Sequence, residues 1–446
     1  MSERAKILAI ALLLMAFAGG FALSLSSEKS PFSQKAINAA TSLDGLVQRK
    51  DYPELERRIA EAKSSVDEQA YFQGILADRS NQVVKAISLL KQILPTLRAQ
   101  HPRRAALALR TLAEDYFKVG RYADSCDAYS DLLEHFANEF GVAERQSIRD
   151  NLQTFQLFRD AAPQTISGVR RFSVPMQTDP TGDLDIPVEV NGVTQWWILD
   201  TGANESVIAI SSAKQMGLTI SNKSAQSQSG ATGSEAPIKG AVIPELILGG
   251  ATVHNVVALV MDDKSLKVPV KDNELYQIQG VLGYPVLAAL GSFTLDGNQW
   301  MIATEGQPSQ RSSRLYVEEL TPLVEATVAN SEILFGLDTG SSSGSFSATY
   351  LRRFPEQFTS LKPQKYATAG AGGDVRFLLA YYLPQIQLQF GTARATLRNV
   401  PVLTQELGVD PLDQVYGNLG QSLLSQFRGF TIDFSRMRFS VGENNY

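Results

Sequence analysis

Two stretches of this chain end an apolar run on an acidic residue, a hydroxyl residue and a glycine. The first is Trp196-Trp197-Ile198-Leu199-Asp200-Thr201-Gly202, the second Leu334-Phe335-Gly336-Leu337-Asp338-Thr339-Gly340. A carboxylate at the end of a buried-looking strand is either a solvated turn residue, since Asp and Gly both favour turns, or a group held for proton transfer. One Asp-Thr-Gly arises by chance in roughly one chain in ten of this length, and two in the same setting in roughly one in a hundred. The decision therefore rests on whether the surroundings repeat as well.

They do. Gly280-Val281-Leu282-Gly283 follows the first triplet, with Gly283 placed 83 residues after Asp200; Gly417-Asn418-Leu419-Gly420 follows the second, with Gly420 placed 82 residues after Asp338. Ten residues beyond those glycines stand Phe293-Thr294-Leu295-Asp296 and Phe430-Thr431-Ile432-Asp433. Such self-similarity marks an internal duplication. Around it the pattern is one of short alternating strands broken by turn residues such as Asn191-Gly192. The expectation is two β-rich lobes, 167–303 and 311–446, joined through the polar stretch 303–314.

Each lobe resembles a unit of the pepsin/retropepsin-like aspartic peptidases, and together they cover about 280 residues. The resemblance implies two retropepsin-like β-barrel lobes forming a pseudo-twofold pair, with Asp200 and Asp338 as the catalytic dyad. Two carboxylates held close cannot both ionise easily and share one proton. The charged one then takes a proton from water while the other donates to the peptide carbonyl, without metal or cofactor. In the family, the hydroxyls of Thr201 and Thr339 bond across the axis. Gly202 and Gly340 let the chain turn sharply, and Gly283 and Gly420 admit a second segment close to each Asp loop. Ser341, which has Ala203 as its counterpart, is expected to donate to the neighbouring Asp and so bias the charge onto Asp338. The flaps are expected at 227–237 and 367–375, carried by Gly230, Gly233, Gly370, Gly372 and Gly373. Asn418 departs from the family, which has an apolar residue there.

The elements that must carry these groups follow a different N-terminal part. Residues 30–162 read as helix, with apolar residues at helical spacing, so the fold class is a helical array followed by an all-β pair. Leu109, Leu112, Ala113 and Tyr116, the turn Gly120 and Tyr122, and then Ser125 and Tyr129 resemble a tetratricopeptide unit. A weaker unit contains Gly74, Ala86 and Leu90. Such a segment either offers a groove to a protein partner or serves as a spacer, and it is expected to fold independently of the lobes. Before it, Arg4 and Lys6 precede an uncharged apolar run, Ile7–Leu25, with a candidate cleavage site at Ala16-Phe17-Ala18. Residues 1–29 are therefore expected to be a signal peptide or a membrane anchor, exporting the rest from the cytoplasm.

With 44% hydrophobic and 20% charged residues the chain can build ordinary cores. A net charge of −5 gives no reason to expect a nucleic-acid partner. Cys126 is the only cysteine, which excludes an intrachain disulfide, and it falls on a packing position as a core thiol. His101, His135 and His254 have no metal-ligand spacing. The sequence thus points to an aspartic endopeptidase acting on a peptide or protein. A binding protein using the helical segment and the interlobe cleft is the alternative.

Overall fold

A computed structural model of the chain describes residues 42–61, 65–169, 171–228, 235–270, 274–302, 309–369, 375–405 and 415–445. The apolar run 7–25 and the five expected flap glycines, Gly230, Gly233, Gly370, Gly372 and Gly373, lie outside these residues. Among the described residues no helix is long and apolar enough to cross a membrane.

The helical part comprises α1 (Leu43–Gln48), α2 (Tyr52–Glu61), α3 (Val66–Arg79), α4 (Val83–Gln100), α5 (Pro102–Lys118), α6 (Tyr122–His135) and α7 (Val142–Gln156). Each packs on the next in the chain. Their boundaries follow local rules. Ser65 caps α3 by accepting the Glu68 N–H at 3.1 Å, and Pro102 opens α5, where a missing N–H costs nothing. The small face of α5, Ala105, Ala106, Ala108 and Ala113 beside Leu109 and Leu112, is buried and allows close helix contact. Cys126 is buried on α6, and burial raises its thiol pKa. Strand structure begins at Thr165–Gly168, where the periodicity of the sequence changes.

The repeated halves adopt the same connectivity. In the first, strands Leu184–Val190, Val193–Leu199, Gly280–Leu282, Ser206–Ala209, Ala251–Met261 and Glu235–Leu248 are neighbours in that order. The pairing of Glu189 with Ile247 closes the ring into a six-stranded barrel. In the second, Thr321–Val328, Ser331–Leu337, Gly417–Leu419, Ser345–Phe346, Ala393–Leu403 and Val375–Phe390 follow the same order, closed by Thr327 opposite Gln389. The opening hairpin of each barrel turns on two left-handed residues, Asn191-Gly192 and Ala329-Asn330, which the twist of a two-residue hairpin demands.

A six-stranded antiparallel sheet joins the halves. Its central pair is Ser292–Asp296 with Phe430–Asp433, the two copies of the Phe-Thr-hydrophobic-Asp motif. Phe293 faces Ile432, Leu295 faces Phe430, and Thr294 faces Thr431 with their hydroxyls 2.7 Å apart. This register places a pseudo-twofold axis between the two threonines.

The helices do not stand apart from the sheets: residues 43–446 form one compact unit. The Asn81 side chain, in the turn after α3, donates to the Phe434 carbonyl at 3.2 Å and accepts from the Tyr284 hydroxyl at 3.2 Å. Arg79 is buried against Glu318 of the second half. The expected independence of the helical segment is thus not what these contacts describe. The cause is a set of buried charges and hydrogen bonds that helical periodicity cannot reveal.

Phe335 is fully buried on the strand leading to Asp338, with its ring 5.0 Å from that of Phe346. Phe335→Ala should therefore cost about 3–5 kcal/mol, measured as a loss of unfolding free energy in urea. A loss under about 1 kcal/mol would mean that this strand is not held by its core face.

Candidate functional site

Each Asp-Thr-Gly loop is made by the same construction. Val193–Leu199 runs parallel to Gly280–Leu282 in the barrel centre, and the Asp200 N–H donates to the Leu282 carbonyl at 3.1 Å. Ser331–Leu337 runs parallel to Gly417–Leu419, and the Asp338 N–H donates to the Leu419 carbonyl at 3.0 Å. Each carboxylate then turns back on its own loop: Gly202 N–H donates to Asp200 Oδ1 at 2.7 Å and Gly340 N–H to Asp338 Oδ1 at 2.9 Å. The segment after each Val/Asn-Leu-Gly motif seals its loop from behind, with Tyr284 N–H on the Ala203 carbonyl and Gln421 N–H on the Ser341 carbonyl, both at 2.8 Å. Gly283 and Gly420 permit this approach. A Cβ on Gly283 would lie 2.5 Å from the Glu205 carbonyl oxygen, and one on Gly420 would lie 2.3 Å from that of Ser341.

The two loops interlock reciprocally. Thr201 Oγ1 donates to the Leu337 carbonyl at 2.6 Å and accepts the Thr339 N–H at 3.1 Å; Thr339 Oγ1 donates to the Leu199 carbonyl at 2.6 Å and accepts the Thr201 N–H at 3.0 Å. Both threonines are fully buried, so every donor and acceptor here is satisfied only by the opposite half. Each carboxyl lies over the other loop's glycine. A Cβ on Gly202 would come 2.6 Å from Asp338 Cγ, and one on Gly340 would come 2.4 Å from Asp200 Cγ. The structure thus brings together Asp200, Thr201, Gly202, Asp338, Thr339 and Gly340.

The two carboxyls hydrogen-bond to each other and are not equivalent. Burial, the Asp338 charge and that shared hydrogen bond hold Asp200 well above the usual carboxylate range. Burial also raises Asp338, but the Asn418 amide, the bond from Asp200 and the Gly340 N–H pull it back. The Asn418 amide thus favours the charged form of Asp338.

A donor to Asp338 was expected at Ser341, and the structure places it elsewhere. The Ser341 hydroxyl donates to the Ser343 carbonyl at 2.8 Å and touches neither carboxylate. The donor is Asn418, whose Nδ2 lies 2.7 Å from Asp338 Oδ2. Its counterpart Val281 stands beside Ile198, whereas Asn418 stands beside Gly336, where a small neighbour leaves room for an amide. The signal was present in the sequence as a polar residue replacing an apolar one within a repeated motif.

A second unforeseen feature is acidic. Asp183 is pushed up to about 6 by burial, restrained by the Thr181 hydroxyl at 2.8 Å, and further raised by Asp179 and by Asp338 itself. Burial and Asp179 raise Asp185 to about 7, and burial raises Glu205, on the first Asp loop, to about 7. Among the described residues no group of three His, Cys, Asp or Glu side chains could hold a metal ion.

Residues 186–286 match a family model described as aspartyl protease. The matched stretch contains the first triplet and Gly283. It runs through most of the first barrel and stops before the second half begins. No curated protein matches the chain. The first half thus contains an aspartyl protease-like domain.

Two measurements probe this electrostatic arrangement. Removing the amide in Asn418→Leu deletes a bond that favours the charged form of Asp338. The apparent pKa of the lower carboxyl step should rise by about one unit, read by carboxyl-carbon NMR; an unchanged titration would remove Asn418 from the dyad. The second concerns stability. Asp183, Asp185, Glu205 and Asp200 are all raised in the folded state, so the native protein binds protons that the unfolded chain does not. For Asp183, Asp185 and Glu205 that contribution is fully present below the unfolded carboxylate range near about 4 and is lost as pH rises through about 6–7. The melting temperature should therefore be higher at pH 5 than at pH 8, and Asp185→Asn should flatten that dependence. A melting temperature that rises with pH over this window would contradict the assignment.

Proposed function

We propose that the protein is an aspartic endopeptidase with one catalytic Asp from each of two retropepsin-like lobes, 167–303 and 311–446, preceded by a tetratricopeptide-like helical domain over 30–162. The observation that carries this reading is the reciprocal threonine interlock, which holds two half-buried carboxyls over each other's loops, with the Asp338 charge raising Asp200. A pure binding site has no need of a shared proton at this point. The single-family match over 186–286 supports the peptidase class, and a protease domain implies a peptide substrate.

In the proposed reaction, Asp338 as carboxylate takes a proton from a water molecule as its oxygen bonds to the scissile carbonyl carbon. Asp200 gives its proton to the carbonyl oxygen, so the tetrahedral gem-diol forms without a separated charge. In collapse, the C–N bond breaks and the amine leaves with the proton held by Asp338. One diol proton returns to Asp200, restoring the starting state with one water consumed. The apolar run 7–25 is proposed to export the enzyme or anchor it outside the cytoplasm.

The test is cleavage of a peptide library by the purified chain, with and without a statine-type inhibitor. Asp200→Asn and Asp338→Asn should each lower kcat by at least about a hundredfold, because an amide can neither hold nor accept the transferred proton. Near-parental turnover in either variant would falsify the mechanism and return the binding-protein reading to first place.

A further inference from the structure

We infer that the helical segment is a brace for the Asp200 loop, acting through the turn at Glu318-Glu319 and through Tyr284, and that Arg110 and Thr321 are positioning residues for the first carboxyl of the dyad. The kinetic consequence rests on the peptidase reading; the brace itself does not.

The first contact is ionic. Glu318 ends the strand Ser312–Glu318, and its carboxylate meets Arg79 Nε of α3 at 2.9 Å, Lys50 Nζ at 3.4 Å and the Tyr52 hydroxyl. All four residues are less than 9% exposed. Burial opposes the charge, but Arg79 and Lys50 overcome it and hold Glu318 down to about 2. The next residue, Glu319, pairs with Arg110 of α5, which also holds Glu114 at 3.2 Å. Glu319 has φ of +56°, a left-handed conformation that a residue with a Cβ adopts only under constraint. In a two-residue hairpin this position belongs to glycine or asparagine. The constraint here is Arg110.

This turn delivers Thr321. Glu318 pairs with Thr321 across the hairpin, and the Thr321 hydroxyl donates to Asn204 Oδ1 at 3.1 Å. Asn204 lies two residues after Gly202. Helix α5 therefore reaches the Asp200 loop through one turn and one hydrogen bond.

The second contact comes from the other side. Tyr284 N–H donates to the Ala203 carbonyl at 2.8 Å, and its hydroxyl donates to Asn81 at 3.2 Å in the turn between α3 and α4. That turn is also left-handed at Asn81, with φ of +56°. Residue 204 is thus fastened by the Thr321 side chain of the second barrel and residue 203 by the backbone of Tyr284 in the first, whose hydroxyl is bonded to the helical segment.

The Asp338 loop is fastened differently. Gln421, which corresponds to Tyr284, also donates its N–H to its own loop, but its side chain turns back to the Thr339 carbonyl at 2.6 Å. The two halves are alike in connectivity and differ in what holds their Asp loops. A helical brace on the Asp200 loop gives the dyad an anchored member and a member that follows it through the threonine interlock.

The test uses the full chain and compares hydrogen exchange at two equivalent amides, Tyr284 and Gln421. In Arg110→Met the turn loses its anchor, and the Tyr284 amide should exchange about tenfold faster, the loss of roughly one net hydrogen bond, with Gln421 unchanged. Adding Glu319→Gly, which takes the left-handed conformation without an ionic anchor, should restore the Tyr284 rate. If the parent cleaves peptides, kcat should fall and recover in the same order with KM nearly constant. Equal acceleration at both amides, or none at Tyr284, would overturn the brace. Should Arg110→Met fail to fold, Thr321→Val provides the same comparison, because it removes only the hydroxyl that reaches Asn204. A parent without peptidase activity would sink the proposed function while the exchange comparison still decided the brace.

Discussion

Two half-buried carboxyl groups in hydrogen-bond contact repel one another as soon as both ionise, and the structure around them is organised to keep them together regardless. The restraint is the double threonine bridge. Each hydroxyl both donates to and accepts from the opposite half, so neither loop can withdraw without stranding buried polar groups. The glycines complete it, because each carboxyl occupies the space that a side chain on the facing loop would fill. The shared proton follows from this geometry, and one additional amide, Asn418, favours the charged form of Asp338.

The larger architecture serves the same restraint at longer range. A closed barrel has no strand edge along which a loop can slip, and each triplet sits at the end of a strand paired on both sides within such a ring. The sheet through Thr294 and Thr431 sets the angle between the rings. The helices then fix one ring's loop to both through charges kept from water. Such charges stabilise only as a complete set, since a lone member would bear the cost of desolvation uncompensated.

That Asp200 and Asp338 form a matched pair of loops with their threonines and glycines was legible because duplication writes the same pattern twice, so that each Asp identifies the other by its spacing from Gly283 or Gly420. The two Phe-Thr-hydrophobic-Asp motifs were visible for the same reason, although their pairing across an axis was not. The role of Ser341 was misread because a hydroxyl next to a carboxylate in sequence says nothing of its rotamer; the Ser343 carbonyl was nearer. The helical brace escaped notice because Arg79, Arg110, Glu318 and Glu319 look like solvated charges in a sequence. Only tertiary contact shows that partners up to 239 residues apart, Arg79 and Glu318, are buried together. Asp183 reads as a turn residue, and nothing local marks it as electrostatic company for Asp338.

The crossing of the two loops also constrains how such a chain can change over generations. Two fused copies ordinarily drift apart, each half accepting substitutions that its own core tolerates. Here the wall of each carboxyl is the backbone of the opposite copy, so a substitution at Gly202 is felt first at Asp338 and one at Gly340 at Asp200. The halves must therefore diverge as a couple around the axis, while their outer hairpins and termini remain at liberty. One divergence close to the two carboxyls already has that paired character: Ile198 beside Val281 in one copy stands against Gly336 beside Asn418 in the other. A compensated exchange of this kind gives two copies of one loop unlike surroundings for their acids.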